Sequence, residues 1–252
     1  MFLESKVSIV TGAGSGVGEA TAELFAKNGS TVVLMDYNRE RVERVTARLK
    51  AQNLSTESFV ANLKNEDDLR ELVKFTTDTF GTVDILVNNA AVMDAHTSLG
   101  NVTNELWDHV IATNLTGAFK LTREVLRIFL AKGGGVVVNV SSTAGIRGGR
   151  GGAAYTAAKH GIIGLTRNMA DHYGHRGIRV NAIAPGGIKS NLRDSYGERD
   201  PEGFARNSRC SAMGPGEGEP SEIAQIALFL ASPASSIVNG AVIVGDRGWT
   251  IF

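Results

Sequence analysis

Apolar runs of three to five residues alternate along the chain with longer stretches of helical period. Val7-Ser8-Ile9-Val10 is the first run, and a glycine-rich turn, Thr11 to Gly18, leads into a helix predicted to about Lys27. Thr31 to Met35 is the second run, ending at Asp36. A charged amphipathic helix follows from Arg39 to about Ala51, with Glu40 and Arg44 as an i, i+4 pair on its solvated face. Ser58 to Ala61 reads as a third strand. Asn65, followed by Glu66, Asp67 and Asp68, reads as a helix start, since acids suit the positive end of a helix dipole. That helix is predicted to about Phe80. Val83 to Val87 is the fourth strand, and Thr103 caps a long helix to about Ala131. Val136 to Val138 is the fifth, ending in Ser141-Ser142. Ile178 to Ala184 is the sixth, closed by the turn Pro185 to Ile188. Pro220 suits the first position of a helix to about Leu230, and Val242 to Val244 is the last run.

Strands that alternate with helices demand parallel pairing and right-handed crossovers. The expected fold is α/β: a Rossmann-type, doubly wound parallel sheet of about seven strands with helices on both faces. No linker or repeat divides it, so one domain is expected over residues 1–252. One segment breaks the pattern. Gly186 to Gly218 is rich in glycine and charge, carries Pro201 and Pro215, and shows little periodicity. A long irregular segment of this kind predicts a lid over a substrate site.

Composition narrows the function. Twenty-six basic and twenty-six acidic residues cancel, which removes any electrostatic case for nucleic acid or an anionic membrane. The single cysteine, Cys210, excludes an internal disulfide. Met1 to Lys6 runs straight into the first strand, and no apolar stretch of about eighteen residues exists to span a bilayer. A cytoplasmic location is the resulting expectation. There is no His-Glu-x-x-His motif and no cysteine cluster, so no metal is expected. Ala13, two before Ser15, also rules out the hydrolase elbow G-x-S-x-G.

The candidate chemistry lies in two places. The turn Gly12-Ala13-Gly14-Ser15-Gly16-Val17-Gly18 has the spacing G-x-x-x-G-x-G after a strand and before a helix. Bare backbone there lets a pyrophosphate approach N–H groups at a helix N-terminus. Asp36, at the next strand end, can accept hydrogen bonds from adenosine ribose hydroxyls and repels a 2′-phosphate. Tyr37 and Asn38 follow it, so NAD is expected over NADP, with Arg39 the nearby cation that could weaken the argument. Asp36 can equally cap the following helix. The second place is Tyr155-x-x-x-Lys159, one helix face, with Ser142 at a strand end upstream. A free tyrosine has a pKa of about 10. A lysine charge roughly 5 Å away at an effective dielectric of about 20 favours the phenolate by about 3 kcal/mol. That is on the order of two pH units, enough to make the phenol a working acid/base. Ser142 can hold a substrate oxygen meanwhile. Arg147 and Arg150, in the glycine-rich segment before Tyr155, can meet an anionic substrate group or solvent.

Together these residues resemble the short-chain dehydrogenase/reductase family in its form of roughly 250 residues. The resemblance runs from Val7 to Gly248 and rests on Thr11–Gly18, Asp36, Asn88-Asn89-Ala90, Asn114, Ser142, Tyr155, Lys159 and Pro185-Gly186. It implies a catalytic set of Asn114, Ser142, Tyr155 and Lys159, with Tyr155 as acid/base and Asn114 keeping a water in a proton relay to Lys159. It implies cofactor contacts from Gly12, Ser15, Gly16, Val17, Gly18, Asp36, Asn62, Leu63, Asn89, Ala90, Tyr155, Lys159, Pro185, Gly186, Ile188 and Ser190. It further implies NAD-linked interconversion of a secondary alcohol and a ketone, and a homotetramer built through the helices that hold Asn114 and Tyr155. Three positions depart from the family pattern. Ala91 stands where glycine is usual, Asn62 where aspartate is common beside the adenine, and Ser190 where threonine is frequent. Two rival functions share the fold. An NADP-linked 3-ketoacyl reductase is opposed by Asp36, and a non-catalytic nucleotide sensor by the complete Ser, Tyr, Lys and Asn set.

Overall fold

A computed structural model describes residues 1–195, 199–212 and 214–251. Seven strands form one parallel sheet in the order β3-β2-β1-β4-β5-β6-β7. They are β1 Val7–Thr11, β2 Thr31–Asp36, β3 Thr56–Val60, β4 Ile85–Asn88, β5 Gly135–Val140, β6 Ile178–Pro185 and β7 Val242–Gly245. The helices are α1 Gly16–Lys27, α2 Arg39–Lys50, α3 Glu66–Phe80, α4 Asn104–Ile111, α5 Ala118–Lys132, α6 Ala153–Tyr173, α7 Pro201–Ala212 and α8 Pro220–Ala231. The chain winds outward from β1 in one direction and then from β4 in the other. The carboxyl ends of β1 and β4 therefore flank a crevice, the usual ligand position in such sheets.

Alternation along each strand supplies two cores. Val32 and Leu34 enter one core with Phe25 of α1, Leu49 of α2 and Leu230 of α8. Val33 and Met35 enter the other with Leu72 of α3 and with Leu121, Val125 and Phe129 of α5. Phe25 and Phe129 are wholly buried, each worth roughly 1.5–3 kcal/mol of transfer free energy. Both faces of every inner strand are covered. This is why the strands read in sequence as continuous apolar runs.

Two elements differ from the sequence pattern. The helix expected from Thr103 to Ala131 is interrupted by a π-helical turn, Ala112–Gly117, which places Asn114 at its centre. The 186–218 segment is less irregular than expected. It holds a 3-10 turn, Asn191–Ser195, and the twelve-residue helix α7. The half-buried stripe of α7 is Gly203, Phe204, Asn207 and Cys210. These follow helical spacing, but a glycine and an asparagine in the stripe erase its apolar signal.

Candidate active site

The crevice is a cavity of about 510 Å³, within the roughly 300–1,000 Å³ typical of small-molecule sites. One end is built by the glycine turn. Gly12 and Gly16 have φ of +65° and +55°, and a Cβ on Gly18 would lie 2.1 Å from the Gly12 carbonyl oxygen. Side chains are thus excluded where backbone must come close. A Cβ on Gly14 would meet the Asp36 carboxylate at 2.9 Å. Instead, Asp36 accepts from Gly14 N at 3.0 Å and from Asn38 N at 2.9 Å. Each oxygen keeps acceptor capacity beside the cavity it lines. The cap of α2 falls to Asn38, which accepts from Arg41 N, so Asp36 is not the helix cap.

The two adjacent asparagines divide their work. Asn88 is buried and donates to Thr122 and to Asn139, whose own amide donates to Thr166; this is a structural ladder between β4, β5 and the helices. Asn89 donates to the carbonyls of Thr11 and Gly12, while its backbone N and that of Ala90 both donate to Thr11 Oγ1. The end of β4 is therefore tied to the glycine turn. Asn62 Oδ1 accepts from Lys64 N, an Asx-type turn at the cavity edge.

The other end holds the candidate acid/base. Tyr155 and Lys159 are 5% and 3% exposed, and the ammonium lies 5.5 Å from the tyrosine ring centroid. Lys159 donates to the Val140 carbonyl at 2.8 Å. Burial lowers its pKa from 10.5 to about 8, so it remains a cation at neutral pH. Ser142 lies two residues past the end of β5, where it accepts from Ala144 N and caps the turn Thr143–Gly145. The backbone of the turn after β6 closes this side. Ile188 bridges to Gly218, with Lys189 N donating to the Gly218 carbonyl, so the two ends of the 186–218 segment are pinned together.

The cavity wall includes Gly12, Ser15, Gly16, Val17, Asp36, Asn62, Leu63, Asn89, Ala90, Ser142, Tyr155, Lys159, Pro185, Gly186, Ile188 and Ser190, all expected from sequence. Two expected residues stand behind it. Gly18 packs against Gly12, and Asn114 faces Val92, accepting from its N and donating to its O, both at 2.8 Å. Three cations that the sequence offered as candidates lie outside the cavity wall. Arg39 pairs with Glu43 on the surface. Arg147 donates to Ile146 and Thr250, and Arg150 stacks on Trp249 at 4.1 Å, so both serve the C-terminal tail and not the cavity. The basic group beside Asp36 is Arg41, which lines the cavity and pairs with Asp194 at 3.1 Å. Its position one turn into α2 was the available signal, since i+3 from the N-cap Asn38 lies over the turn before it.

These features agree with comparisons to known proteins. A family model described as enoyl-(acyl carrier protein) reductase matches residues 12–250. The 3-oxoacyl-[acyl-carrier-protein] reductase of Thermotoga maritima is 39% identical over 100% of both chains. The 3beta-hydroxysteroid dehydrogenase 2 of Eggerthella lenta is 33% identical over 99% of this chain and 96% of its own. Among solved structures, one described as an NAD(P)-dependent gluconate 5-dehydrogenase from Beutenbergia cavernae, with NADP bound at low occupancy, superposes with a TM-score of 0.87. It is 33% identical and covers 100% of this chain and 99% of its own. The chain belongs to the short-chain dehydrogenase/reductase family, a class of nicotinamide-dependent oxidoreductases acting on CH–OH groups.

Proposed function

We propose that the protein interconverts a secondary alcohol and a ketone with NAD as its cofactor. The observation that carries the cofactor choice is the Asp36 carboxylate on the cavity wall, fixed by two backbone N–H groups. A fixed anion accepts from a ribose diol and repels a 2′-phosphate. The glycine turn leaves bare backbone for a pyrophosphate, with Ser190 close over Gly16 and Ile188 beside it on the cavity wall. When bound, the nicotinamide supplies the hydride chemistry.

This chain's residues supply position and proton transfer. Ser142 holds the substrate oxygen. Tyr155 takes the alcohol proton in oxidation and returns it in reduction. Lys159, held by Val140, keeps the phenol acidic by its charge. Asn114 acts on this proton path through structure first: its amide is bonded to Val92, so a relay water to Lys159 would need a further bond from it or from the π-turn backbone. The 186–218 segment serves as the lid, with α7 as its body. A homotetramer is favoured by the α5–α6 face, where Phe119 is 42% exposed beside a cavity of about 240 Å³ lined by Leu126, Leu165 and Met169.

The NADP-linked 3-ketoacyl reductase remains the second reading. It is favoured by the Thermotoga relative and by Arg41, whose guanidinium could turn from Asp194 to a 2′-phosphate. Parallel titrations of NAD and NADP against the protein, with nicotinamide absorbance followed over a panel of secondary alcohols and ketones, separate the two. NAD binding at least tenfold tighter supports the proposal. Tighter NADP binding overturns it.

A further inference from the structure

α6 begins without a cap of its own. Its N-cap residue is Gly152, which has no side chain to accept from the first turn. The N–H groups left without intrahelical partners there are met by a loop 58 and 61 residues earlier in sequence. Asp94 Oδ1 accepts from Gly152 N at 3.0 Å and Oδ2 from Tyr155 N at 2.9 Å, while Ala153 N donates to the Thr97 carbonyl at 2.9 Å. Asp94 is wholly buried, and a Cβ on Gly152 would lie 2.5 Å from both its oxygens.

The loop reaches this position under strain. Ala95 and His96 are consecutive left-handed residues, φ 51° and 61°, a conformation that residues with a Cβ rarely adopt. Its surroundings hold it there. Met93 N donates to Ser195 Oγ, Ser98 N donates to Asp200, and the His96 ring packs on Phe204 of α7 at 6.1 Å.

We infer that Asp94 is a positioning residue for Tyr155, acting through the first turn of α6; this rests on the reading of Tyr155 as the acid/base. The carboxylate fixes the tyrosine backbone, and so the place of the phenol. Its charge also offsets the positive end of the helix, which otherwise favours the phenolate. The other ionisable groups nearby are Lys159 on the same helix, His96 on the loop, Glu105, Asp108 and His109 on α4, and Asp194, which pairs with Arg41.

Asp94→Asn tests the inference, since asparagine can accept from one of the two N–H groups but not both. The expected result is a kcat lower by about tenfold or more, with NAD affinity within about twofold. The pKa in the kcat/KM profile should move to lower pH by roughly half a unit or more, because an anion near the phenolate is gone. Gly152→Ala displaces the carboxylate without removing it, and should lower kcat with that pKa unmoved. Wild-type kcat in both variants overturns the inference. So does a loss of kcat in Asp94→Asn with an unmoved pKa, which marks a merely structural carboxylate. If Asp94→Asn does not fold, Gly152→Ala decides by kcat read against melting temperature: a lower kcat at an unchanged melting temperature supports the inference, and an unchanged kcat, or one that falls only together with the melting temperature, overturns it. Tyr155→Phe is measured in parallel: wild-type turnover there sinks the acid/base reading itself, whatever Asp94 does.

Discussion

Lys159 donates a hydrogen bond from its ammonium to the Val140 carbonyl at 2.8 Å, at the end of the central strand β5. The bond holds a buried cation beneath the Tyr155 ring, and the fold sacrifices stability to keep it there. A fall in pKa from 10.5 to about 8, at about 1.4 kcal/mol for each pH unit, is on the order of 3 kcal/mol of destabilisation at neutral pH. The sign follows from linkage. Between about pH 8 and 10.5 the unfolded chain binds more protons at this residue than the folded one, so this contribution raises stability as pH increases through that window. Lys159→Met should therefore melt higher than wild type at pH 7 while losing most of its turnover. Thermal denaturation of the cofactor-free protein checks it, with a lower melting temperature as the contrary result.

Asp36 and Arg41 carry opposite charges on the cavity wall beside the glycine turn. Asp36→Ala removes the anion and leaves the guanidinium that now pairs with Asp194. NAD affinity should fall by about tenfold and NADP affinity should rise. Adding Arg41→Ala should cancel the NADP gain. Titration of each variant with both cofactors measures the ratio.

Asn114→Ala tests the π turn. The substitution leaves the N and O of Val92 without their partner in a part-buried setting, at roughly 1–3 kcal/mol for each group. The melting temperature should drop by several degrees, about 2–4 °C per kcal/mol in a chain of this size. An unchanged melting temperature would show that water replaces the amide freely.

Asp200 ties α7 to the loop at Ser98 and Asn101. Chiefly the Ser98 N–H, and then the neighbouring donors, lower its pKa from 3.8 to about 2. Its folded pKa is depressed, so the tie is at full strength above about pH 4 and weakens as pH falls toward 2. Asp200→Ala should expose residues 199–212 to proteolysis at neutral pH. Wild type should resist cleavage there until acid conditions.

The sheet was legible because every inner strand is buried on both faces and reads as an apolar run. The cavity wall was legible because bare glycine turns and a strand-end carboxylate have local signatures. What stayed hidden depends on contacts distant in sequence. Asp94 caps a helix 58 residues on, and nothing beside it in sequence marks that task. Sequence position favours Arg39 over Arg41 as the cation near Asp36, but which arginine faces the cavity depends on how α2 packs against the glycine turn. α7 was read as irregular because its inner stripe includes Gly203 and Asn207. The π turn has no sequence mark beyond a polar residue in an apolar helix.

The central claim is that Tyr155 carries the proton. The most direct measurement is steady-state turnover of Tyr155→Phe with NAD, on a secondary alcohol that the wild-type protein oxidises. Removing the phenol hydroxyl should lower kcat by about a hundredfold or more while NAD affinity stays within a few fold. Turnover close to wild type, with the ring intact and the hydroxyl gone, would contradict the account.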